Sequence, residues 1–421
     1  MINQLLKTRE AEGNRIRVAV VGCGAMGLGV AFQIGQCPGM EVVLLADKNG
    51  EVIGPAADMV SSTGRQQGRP PVTTGCLDAL VNGPEYDVLV ECTTSIEDGI
   101  DYCLAAIHRG AHVVLMNAEV DMAFGPLLKH EAAKKGVVVT SDAGDQHGVI
   151  TQVYEQISLW GFELVQAGNI KGFLNRYATP ESMRAEAAKR RLNPVPCCAY
   201  TDGTKLNIEM ALLSNAFGWK PFVRGMEGPR CARVDEVLRL FDFDAYQGEG
   251  KVDYILGAEP GGGVYVVGRC TSDKAFEFQQ PYMAYYKLGN GPYYLFYRPY
   301  HLCHLETPYA VALAALKQAP LLQPWAGRVA DVYAFAKRAI TAGEVVTHGI
   351  GGEHFYGMVE SAEVAAKEGL VPMWMLEAEV ESPKPVVSRA LAKDGPLTFD
   401  DVTFPATRLY EMAARQRDLG L

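Results

Sequence analysis

The sequence has no excess of positive charge, no long apolar run and few cysteines for its length. Its 421 residues include 39 Lys and Arg against 49 Asp and Glu, which gives a formal charge of −10. A chain of this sign has no electrostatic footprint for DNA or RNA. No apolar stretch approaches the roughly 18 residues that a membrane-spanning helix needs. We therefore expect neither a nucleic acid nor a membrane as a partner.

Cysteine usage and the first residues bear on the compartment. The chain starts Met1-Ile-Asn-Gln-Leu-Leu-Lys-Thr-Arg-Glu10, without the apolar run of a signal peptide. Ten cysteines are too sparse for a disulfide scaffold, and none forms a C-x-x-C pair. These features predict a cytoplasmic protein with buried, reduced cysteines. No strong metal-ligand pattern is present, so a requirement for a divalent metal stays open.

The first 150 residues alternate between short apolar runs and helical patterns. Strands are predicted at residues 16–21, 41–46, 86–91, 111–116 and 136–140, with helices such as 96–109 and 126–135 between them. Strands that are apolar on both faces and joined by helices belong in a parallel sheet covered on both sides. The predicted fold class is α/β, with a Rossmann-type doubly wound parallel sheet over residues 1–150.

From about residue 151 the pattern changes to that of an α+β domain. Strands are predicted at 163–167, 196–200, 263–269, 282–286 and 291–297, and helices at 180–191, 205–217 and 309–318. The segment 319–326 carries two prolines and is the predicted linker. We therefore predict an α+β catalytic and dimerisation domain over 151–325 and a small β-rich domain over 326–421.

A glycine-rich turn follows the first predicted strand. The motif Gly22-Cys-Gly-Ala-Met-Gly27 opens a helix, as in dinucleotide-binding folds. There the first glycine permits a tight turn, the second lets the backbone approach the pyrophosphate, and the third lets helix and strand pack closely. The helix N-terminus offers free N–H groups to the phosphates. The predicted cofactor-binding residues of this turn are Gly22, Gly24, Ala25, Met26 and Gly27.

An acidic residue ends the next predicted strand. Asp47 follows Gly22 by 25 residues, close to the usual spacing of about 20 for the acid that binds the ribose. Its carboxylate would repel a 2′-phosphate, which favours NAD. The adjacent Lys48 could pair with such a phosphate, so NADP stays open. Thr93, Thr94 and Asn117 follow later strands and are the other predicted cofactor-binding residues.

Polar residues cluster in the predicted second domain. Hydride transfer requires a group that gives or takes the alcohol proton, and cationic groups if the substrate is anionic. The predicted catalytic residues are Lys205, Lys171, Asp202 and Glu209. Asp202 could equally be only a turn residue, and Lys205 and Glu209 only a surface ion pair. The predicted substrate-binding residues are Asn117, Glu119, Asp145, Asn175, Asn215, Arg298 and His301.

Aromatic residues are concentrated at 282–286 and 293–297, which we predict to be strands of one sheet. Such a sheet has more apolar surface than one face can bury. Pairing with a symmetry mate is a common solution. We therefore expect a homodimer.

With these residues in view, the chain resembles homoserine-dehydrogenase-like oxidoreductases that carry a C-terminal SAF domain. It is most similar to the deoxyxylulose-phosphate-reductoisomerase-like (DXR-like) group. The resemblance covers nearly the whole length. It rests on residues 20–27, 116–121, 143–145, 202–205, 207–210, 228–230 and 298–301, with 336–344 similar to the opening of a SAF module.

The resemblance implies a dinucleotide-binding domain, a substrate domain that builds the dimer, and a small β-clip (SAF) domain. It implies an acid/base role for Lys205, and for the DXR-like group an NADPH-dependent rearrangement and reduction of a ketose phosphate. Asp47 departs from those relatives, which have small and basic residues there. The metal-binding acid cluster of the ordinary reductoisomerases is also not recognisable.

The predicted function is an NAD(P)-dependent oxidoreductase that acts on a small polyol, hydroxy acid or ketose. A phosphorylated substrate is favoured, and coupling of the redox reaction to an isomerisation is left open. One alternative is a 1-deoxy-D-xylulose 5-phosphate reductoisomerase-like enzyme of isoprenoid synthesis. The other is a non-catalytic protein that senses a dinucleotide. The sequence does not identify the substrate.

Overall fold

A computed structural model describes residues 1–190, 192–378 and 382–421. The chain divides into two compact units. The first unit comprises Met1–Gly148, Leu302–Gln323 and Glu411–Leu421, and the second comprises Val149–His301 and Pro324–Tyr410. The predicted division into three domains, including the SAF-like domain, stays a prediction.

The helices and strands are given in chain order. Up to the second unit they are α1 (Ile2–Ala11), β1 (Ile16–Val21), α2 (Ala25–Gln36), β2 (Met40–Ala46), α3 (Gly50–Ser61), β3 (Val72–Thr73), α4 (Cys76–Asn82), β4 (Val88–Glu91), α5 (Ile96–Arg109), β5 (His112–Leu115), α6 (Ala118–Lys135), β6 (Val139–Ser141) and α7 (Gln146–Leu159). They continue with β7 (Phe162–Lys171), α8 (Pro180–Arg190), α9 (Pro194–Asp202), α10 (Thr204–Phe217), β8 (Lys220–Pro221), α11 (Val237–Leu240), β9 (Lys251–Leu256), β10 (Val264–Cys270), α12 (Asp273–Tyr285), β11 (Tyr293–Arg298) and α13 (Thr307–Ala312). The last are β12 (Ala330–Ala336), β13 (Phe355–Ser361), α14 (Ala362–Glu368), β14 (Val386–Val387), β15 (Val402–Thr403) and α15 (Arg408–Asp418).

The first unit contains a six-stranded sheet in the order β3-β2-β1-β4-β5-β6. All five strand pairs are parallel. The strand order reverses between β1 and β4, so their carboxyl ends flank the crevice in which doubly wound folds bind ligands. All four residues of β4 are buried, as expected for a strand covered on both faces. The predicted α/β fold class with a Rossmann-type sheet is confirmed.

Local capping fixes the helices beside this crevice. Helix α5 matches the predicted range because Ser95 accepts a hydrogen bond from the Asp98 N–H at 2.9 Å and Gly110 ends the helix in a left-handed conformation. Helix α6 begins earlier than predicted because Asn117 accepts a hydrogen bond from the Val120 N–H at 3.2 Å. Both caps lie at the carboxyl ends of strands.

The second unit contains a mixed five-stranded sheet in the order β11-β10-β7-β9-β8. Strand β7 pairs with β10 in antiparallel and with β9 in parallel orientation. Helix α10 contacts β9, β12 and β13 and is buried over nearly its whole length. Strands β12 and β13 form one two-stranded antiparallel sheet, and β14 and β15 form another.

Two predicted strands are wrong. Residues 196–200 lie in α9, because Pro194 starts that helix and Asn193 caps it by accepting a hydrogen bond from the Val195 N–H at 3.0 Å. Residues 282–285 lie in α12, which Ser272 caps at the Ala275 N–H with a 3.2 Å hydrogen bond. In both segments the cap precedes the apolar residues and starts a helix.

In the part of the chain that the structure describes, no helix combines the length and the apolar character needed to cross a bilayer.

Candidate functional site

The predicted site residues fall into both units, and each unit is described by itself. In the first unit lie the residues of the glycine-rich turn, Asp47, Lys48, Thr93, Thr94, Asn117, Glu119 and Asp145. In the second lie Lys171, Asn175, Asp202, Lys205, Glu209, Asn215, Arg298 and His301.

The glycine-rich turn in the first unit requires glycine for three different reasons. Gly22 has φ +86°, and a Cβ there would lie 2.6 Å from the Cys92 carbonyl carbon. A Cβ on Gly27 would lie 1.7 Å from the Gly22 oxygen. At Gly24, by contrast, no atom lies within 4 Å of the Cβ position. Gly24 therefore keeps space open at the N-terminus of α2, where a pyrophosphate would bind.

Ala25 and Met26 form the first turn of α2, where the helix presents free N–H groups. This geometry, the open space at Gly24 and the carboxylate of Asp47 fit a bound dinucleotide. That the residues of the motif hold its phosphates stays a prediction.

Asp47 follows β2 and contacts the turn directly. Its Oδ2 accepts a hydrogen bond from the Cys23 N–H at 2.6 Å, and its Oδ1 accepts one from the Asn49 N–H at 2.8 Å. These bonds fix the carboxylate beside the turn, in a position suited to ribose hydroxyls. Lys48 is exposed and forms an ion pair with Asp98 of α5. The ammonium group that could have bound a 2′-phosphate thus has a carboxylate partner.

A buried acid lies at the end of β4. Glu91 Oε1 accepts a hydrogen bond from the Thr93 N–H at 2.8 Å, while Oε2 has no hydrogen-bond partner among the described residues. Burial raises the Glu91 pKa to about 8, against the lowering effect of hydrogen bonds from Thr93 and Asn117. Glu91 thereby positions two predicted cofactor-binding residues. Thr94 is exposed, and Glu119 in the first turn of α6 is partly exposed.

A second buried acid organises the loop after β6. Asp142 Oδ2 accepts hydrogen bonds from the N–H groups of Gly144 at 2.7 Å and Asp145 at 3.0 Å. Burial, and then the negative charge of Asp145, raise the Asp142 pKa to about 7. Asp145, a predicted substrate-binding residue, is buried and positioned by this loop.

In the second unit, Lys171, Lys205 and Glu209 lie near one another. Lys205 and Glu209 are one turn apart on α10 and are both buried, so they are not a surface ion pair. Lys171 ends β7. Burial lowers the Lys171 pKa, and the charges of Glu209 and then Asp202 oppose that shift. The structure therefore places a lysine with a lowered pKa beside the predicted acids.

Asn169 precedes Lys171 by two residues and lies on the same face of β7. Its Nδ2 donates a hydrogen bond to Glu209 Oε2 at 2.9 Å. Its Oδ1 is buried and has no hydrogen-bond partner among the described residues. The sequence analysis did not select Asn169. The available signal was an amide residue two positions before Lys171 on the same strand.

Asp202 belongs to a buried ion pair. Its Oδ2 lies 2.8 Å from Lys337 Nζ, and both side chains are almost completely buried. Lys337 also donates hydrogen bonds to the backbone oxygens of Ala178 and Gly352, each at 2.7 Å. Asp202 Oδ1 accepts a hydrogen bond from the Thr204 N–H at 2.8 Å. Asp202 thus has both a turn role and a fixed cationic partner, and the sequence analysis missed that partner.

The remaining predicted residues of the second unit lie in different surroundings. Asn175 is exposed in a turn, where its Oδ1 accepts a hydrogen bond from the Tyr177 N–H. Asn215 Oδ1 accepts hydrogen bonds from the N–H groups of Val329 at 2.7 Å and Ala330 at 2.9 Å, which is a backbone-supporting role. Arg298 ends β11 with its guanidinium 4.5 Å from the Tyr300 ring centre. His301 is the last residue before the chain returns to the first unit.

Two family matches divide the chain at the end of the Rossmann sheet. Residues 22–140 match the NAD-binding domain of homoserine dehydrogenase. Residues 144–307 match the catalytic domain of the oxidoreductase DRL. No curated protein sequence matches the chain.

Several solved structures are similar to this chain at low sequence identity. A homoserine dehydrogenase from Thiobacillus denitrificans is 16% identical with a TM-score of 0.42, over 90% of this chain and 97% of that one. GenD2 from gentamicin A biosynthesis, in complex with NAD, is 15% identical with a TM-score of 0.38, over 73% and 88%. A myo-inositol dehydrogenase from Lactobacillus casei is 16% identical with a TM-score of 0.31, over 40% and 49%. The two family matches support an NAD(P)-dependent oxidoreductase.

Proposed function

We propose that this oxidoreductase transfers hydride between a nicotinamide dinucleotide and a small polyol, hydroxy acid or ketose that carries a phosphate or carboxylate. The observation that carries the proposal is that Lys205 and Glu209 are buried in one unit near Lys171, which is partly buried and whose pKa is lowered by desolvation. Buried ammonium groups are costly without a function or a counter-charge. The ammonium groups of two lysines in one site can form charge-assisted hydrogen bonds to the phosphate or carboxylate of an anionic substrate.

Proton handling is the second requirement of the reaction. When bound, the nicotinamide accepts or supplies the hydride. The chain must take the alcohol proton in one direction and return it in the other. Because burial lowers the pKa of Lys171, this lysine is the better candidate for that role, with Lys205 binding the anionic group. This gives Lys171 the acid/base role that the family resemblance implied for Lys205, and variants of the two lysines distinguish the assignments.

We also propose NAD as the preferred cofactor. The Asp47 carboxylate is fixed beside the turn, and Lys48 is paired with Asp98. We expect Asp47→Ser to lower the NAD preference over NADP by about tenfold or more, which corresponds to about 1.4 kcal/mol, because repulsion of the 2′-phosphate is removed. Titration calorimetry with both cofactors measures the ratio. An unchanged ratio would mean that Asp47 does not face the ribose.

The reaction is tested by following absorbance in the reduced-nicotinamide band. The full chain is incubated with either cofactor form and a panel of sugar phosphates, polyols and hydroxy acids. We expect turnover with at least one anionic member and none with its neutral, unphosphorylated counterpart. Tight dinucleotide binding without turnover of any member would instead support the dinucleotide-sensing alternative.

A further inference from the structure

The amide of Asn169 has one hydrogen bond where it could form more. Its side chain is 1% exposed, so water does not satisfy it. The Nδ2 group donates to Glu209 Oε2 at 2.9 Å, and Oδ1 has no partner within the described residues. A buried acceptor without a partner is expensive and uncommon in native proteins. Its retention inside the candidate site is explained if a ligand supplies the missing donor.

The orientation of the Asn169 amide determines which kind of ligand group can bind to it. Because Nδ2 is held by the Glu209 carboxylate, Oδ1 is left as an acceptor. A ligand group that satisfies it must therefore donate a hydrogen bond, as a hydroxyl or an ammonium does. A carbonyl, carboxylate or phosphate oxygen would not.

The charges of the surrounding residues distinguish between the two possible hydrogen-bond donors, a hydroxyl group and an ammonium group. Asp202 is neutralised by Lys337 at 2.8 Å. The nearby Lys171 and Lys205 already bring two ammonium groups to this site. A third ammonium group would add to this positive charge in a buried site, whereas a neutral hydroxyl adds none.

We propose that Asn169 binds a hydroxyl group of the substrate and thereby selects hydroxylated substrates over deoxy analogues and over amino acids. This inference rests on the proposed function, since it concerns the same site, and it narrows the substrate class to anionic polyhydroxy compounds. By holding Glu209, Asn169 also positions the carboxylate that faces Lys171. Neither role was predicted from the sequence.

The test is binding of matched probes to the full chain saturated with NAD, measured by titration calorimetry. The first probes are pairs that differ by one hydroxyl, ribose 5-phosphate with 2-deoxyribose 5-phosphate and glycerol 3-phosphate with propane-1,3-diol monophosphate. L-homoserine and 4-hydroxybutyrate test the ammonium group. We expect the hydroxylated member of at least one pair to bind about tenfold to a hundredfold more tightly in the wild type.

The variants are Asn169→Leu, which keeps the approximate volume and removes the acceptor, and Asn169→Ala in case the first does not fold. Both should lose the preference for the hydroxyl. The control is Gln166→Leu on the same strand. Its amide is satisfied by the hydroxyl groups of Tyr246 at 2.9 Å and Tyr265 at 3.0 Å, so the preference should remain.

Three results would overturn the assignment of Asn169. They are a wild type without preference for any hydroxylated member, a folded Asn169 variant that keeps the preference, and tighter binding of L-homoserine than of 4-hydroxybutyrate. Selective binding without hydride transfer would contradict the proposed function and support the Asn169 assignment. Hydride transfer by the wild type together with unchanged selectivity in Asn169→Leu would support the proposed function and contradict the Asn169 assignment.

Discussion

Gly24 is the residue at which a side chain can be added without disturbing the fold. It is exposed, its φ is −65°, and no atom lies within 4 Å of the Cβ position. We expect Gly24→Val to fold normally and to lose dinucleotide binding, because the new side chain occupies the phosphate position. Calorimetry measures the binding, and circular dichroism checks the fold.

Gly64→Val is the matched control, since Gly64 also has open space at its Cβ position but lies outside the turn. It should bind the dinucleotide normally. Retained binding by Gly24→Val would contradict the cofactor site.

Replacing each of the two lysines of the second unit is expected to change a different kinetic constant. We expect Lys171→Met to lower kcat by about 10²–10⁴-fold with NAD affinity unchanged, because it removes the proton acceptor. Lys205→Met should raise KM more than it lowers kcat. If Lys205→Met has the larger effect on kcat, the acid/base role belongs to Lys205, as the family resemblance implied.

The pH dependence of alcohol oxidation has a definite sign. The neutral amine of Lys171 accepts the proton, so the rate should rise with pH through a pKa below the ordinary 10.5. Glu209 raises that pKa, so Glu209→Gln should move the rise to lower pH. A shift to higher pH would contradict the assignment of Lys171.

At the scale of helices and strands, the sequence was sufficient to predict an element where its capping residues and spacing are local. Helix α5 was predicted to the residue because Ser95 and Gly110 cap it. Residues 282–286, most of which lie at the end of helix α12, were predicted as a strand because their aromatic side chains suggested β structure. The Ser272 cap and the 3–4 residue spacing of Phe278, Tyr282 and Tyr285 favour a helix. The cofactor turn was predictable for the same local reason, since strand, glycines and helix are contiguous.

The surroundings of the proposed catalytic residues depend on contacts between distant segments. Lys337 follows β12 and neutralises Asp202 at the end of α9, and no pattern in the sequence connects the two positions. Asn169 contacts Glu209 only because β7 and α10 pack together. Sequence reasoning could select the acids and lysines by type, but could not assign their partners.

Asp202 at the end of α9 forms a buried ion pair with Lys337, which follows β12. Breaking this ion pair is expected to have a large effect on stability. Lys337→Met leaves Asp202 buried without a counter-charge, which should lower the free energy of unfolding by about 3–5 kcal/mol. The double variant Asp202→Asn/Lys337→Met should recover much of this loss. Denaturant unfolding measures both.

The control is the exposed ion pair of Lys367 with Glu363, one turn apart on α14. Lys367→Met should cost no more than about 0.5 kcal/mol. If Lys337→Met and Lys367→Met lowered the free energy of unfolding equally, the prediction that a buried ion pair contributes more than an exposed one would be contradicted.

At the scale of the whole molecule, we predict a homodimer. Helix α12 has no buried side chain, and Phe278, Tyr282 and Tyr285 are 87%, 64% and 77% exposed. Exposed aromatic side chains in one patch are typical of an interface, and two-fold dimers are the commonest oligomers. Light scattering at micromolar concentration should give twice the mass of the 45.7 kDa chain.

The variant Phe278→Lys/Tyr285→Lys should shift the protein toward the monomer, whereas Leu77→Lys, an exposed apolar residue on α4 in the first unit, should not. A wild-type monomer would refute the prediction.

Direct transfer of the hydride is the most stringent test of the account. The protein is incubated with reduced NAD carrying deuterium at the reactive carbon of the nicotinamide, together with a panel of phosphorylated ketoses and keto acids, and the products are analysed by mass spectrometry. We predict that one product gains a single deuterium in the wild type, that the yield of this product collapses in Lys171→Met, and that no such product forms in Gly24→Val. Tight binding of the reduced cofactor with no deuterium transferred to any member would contradict it.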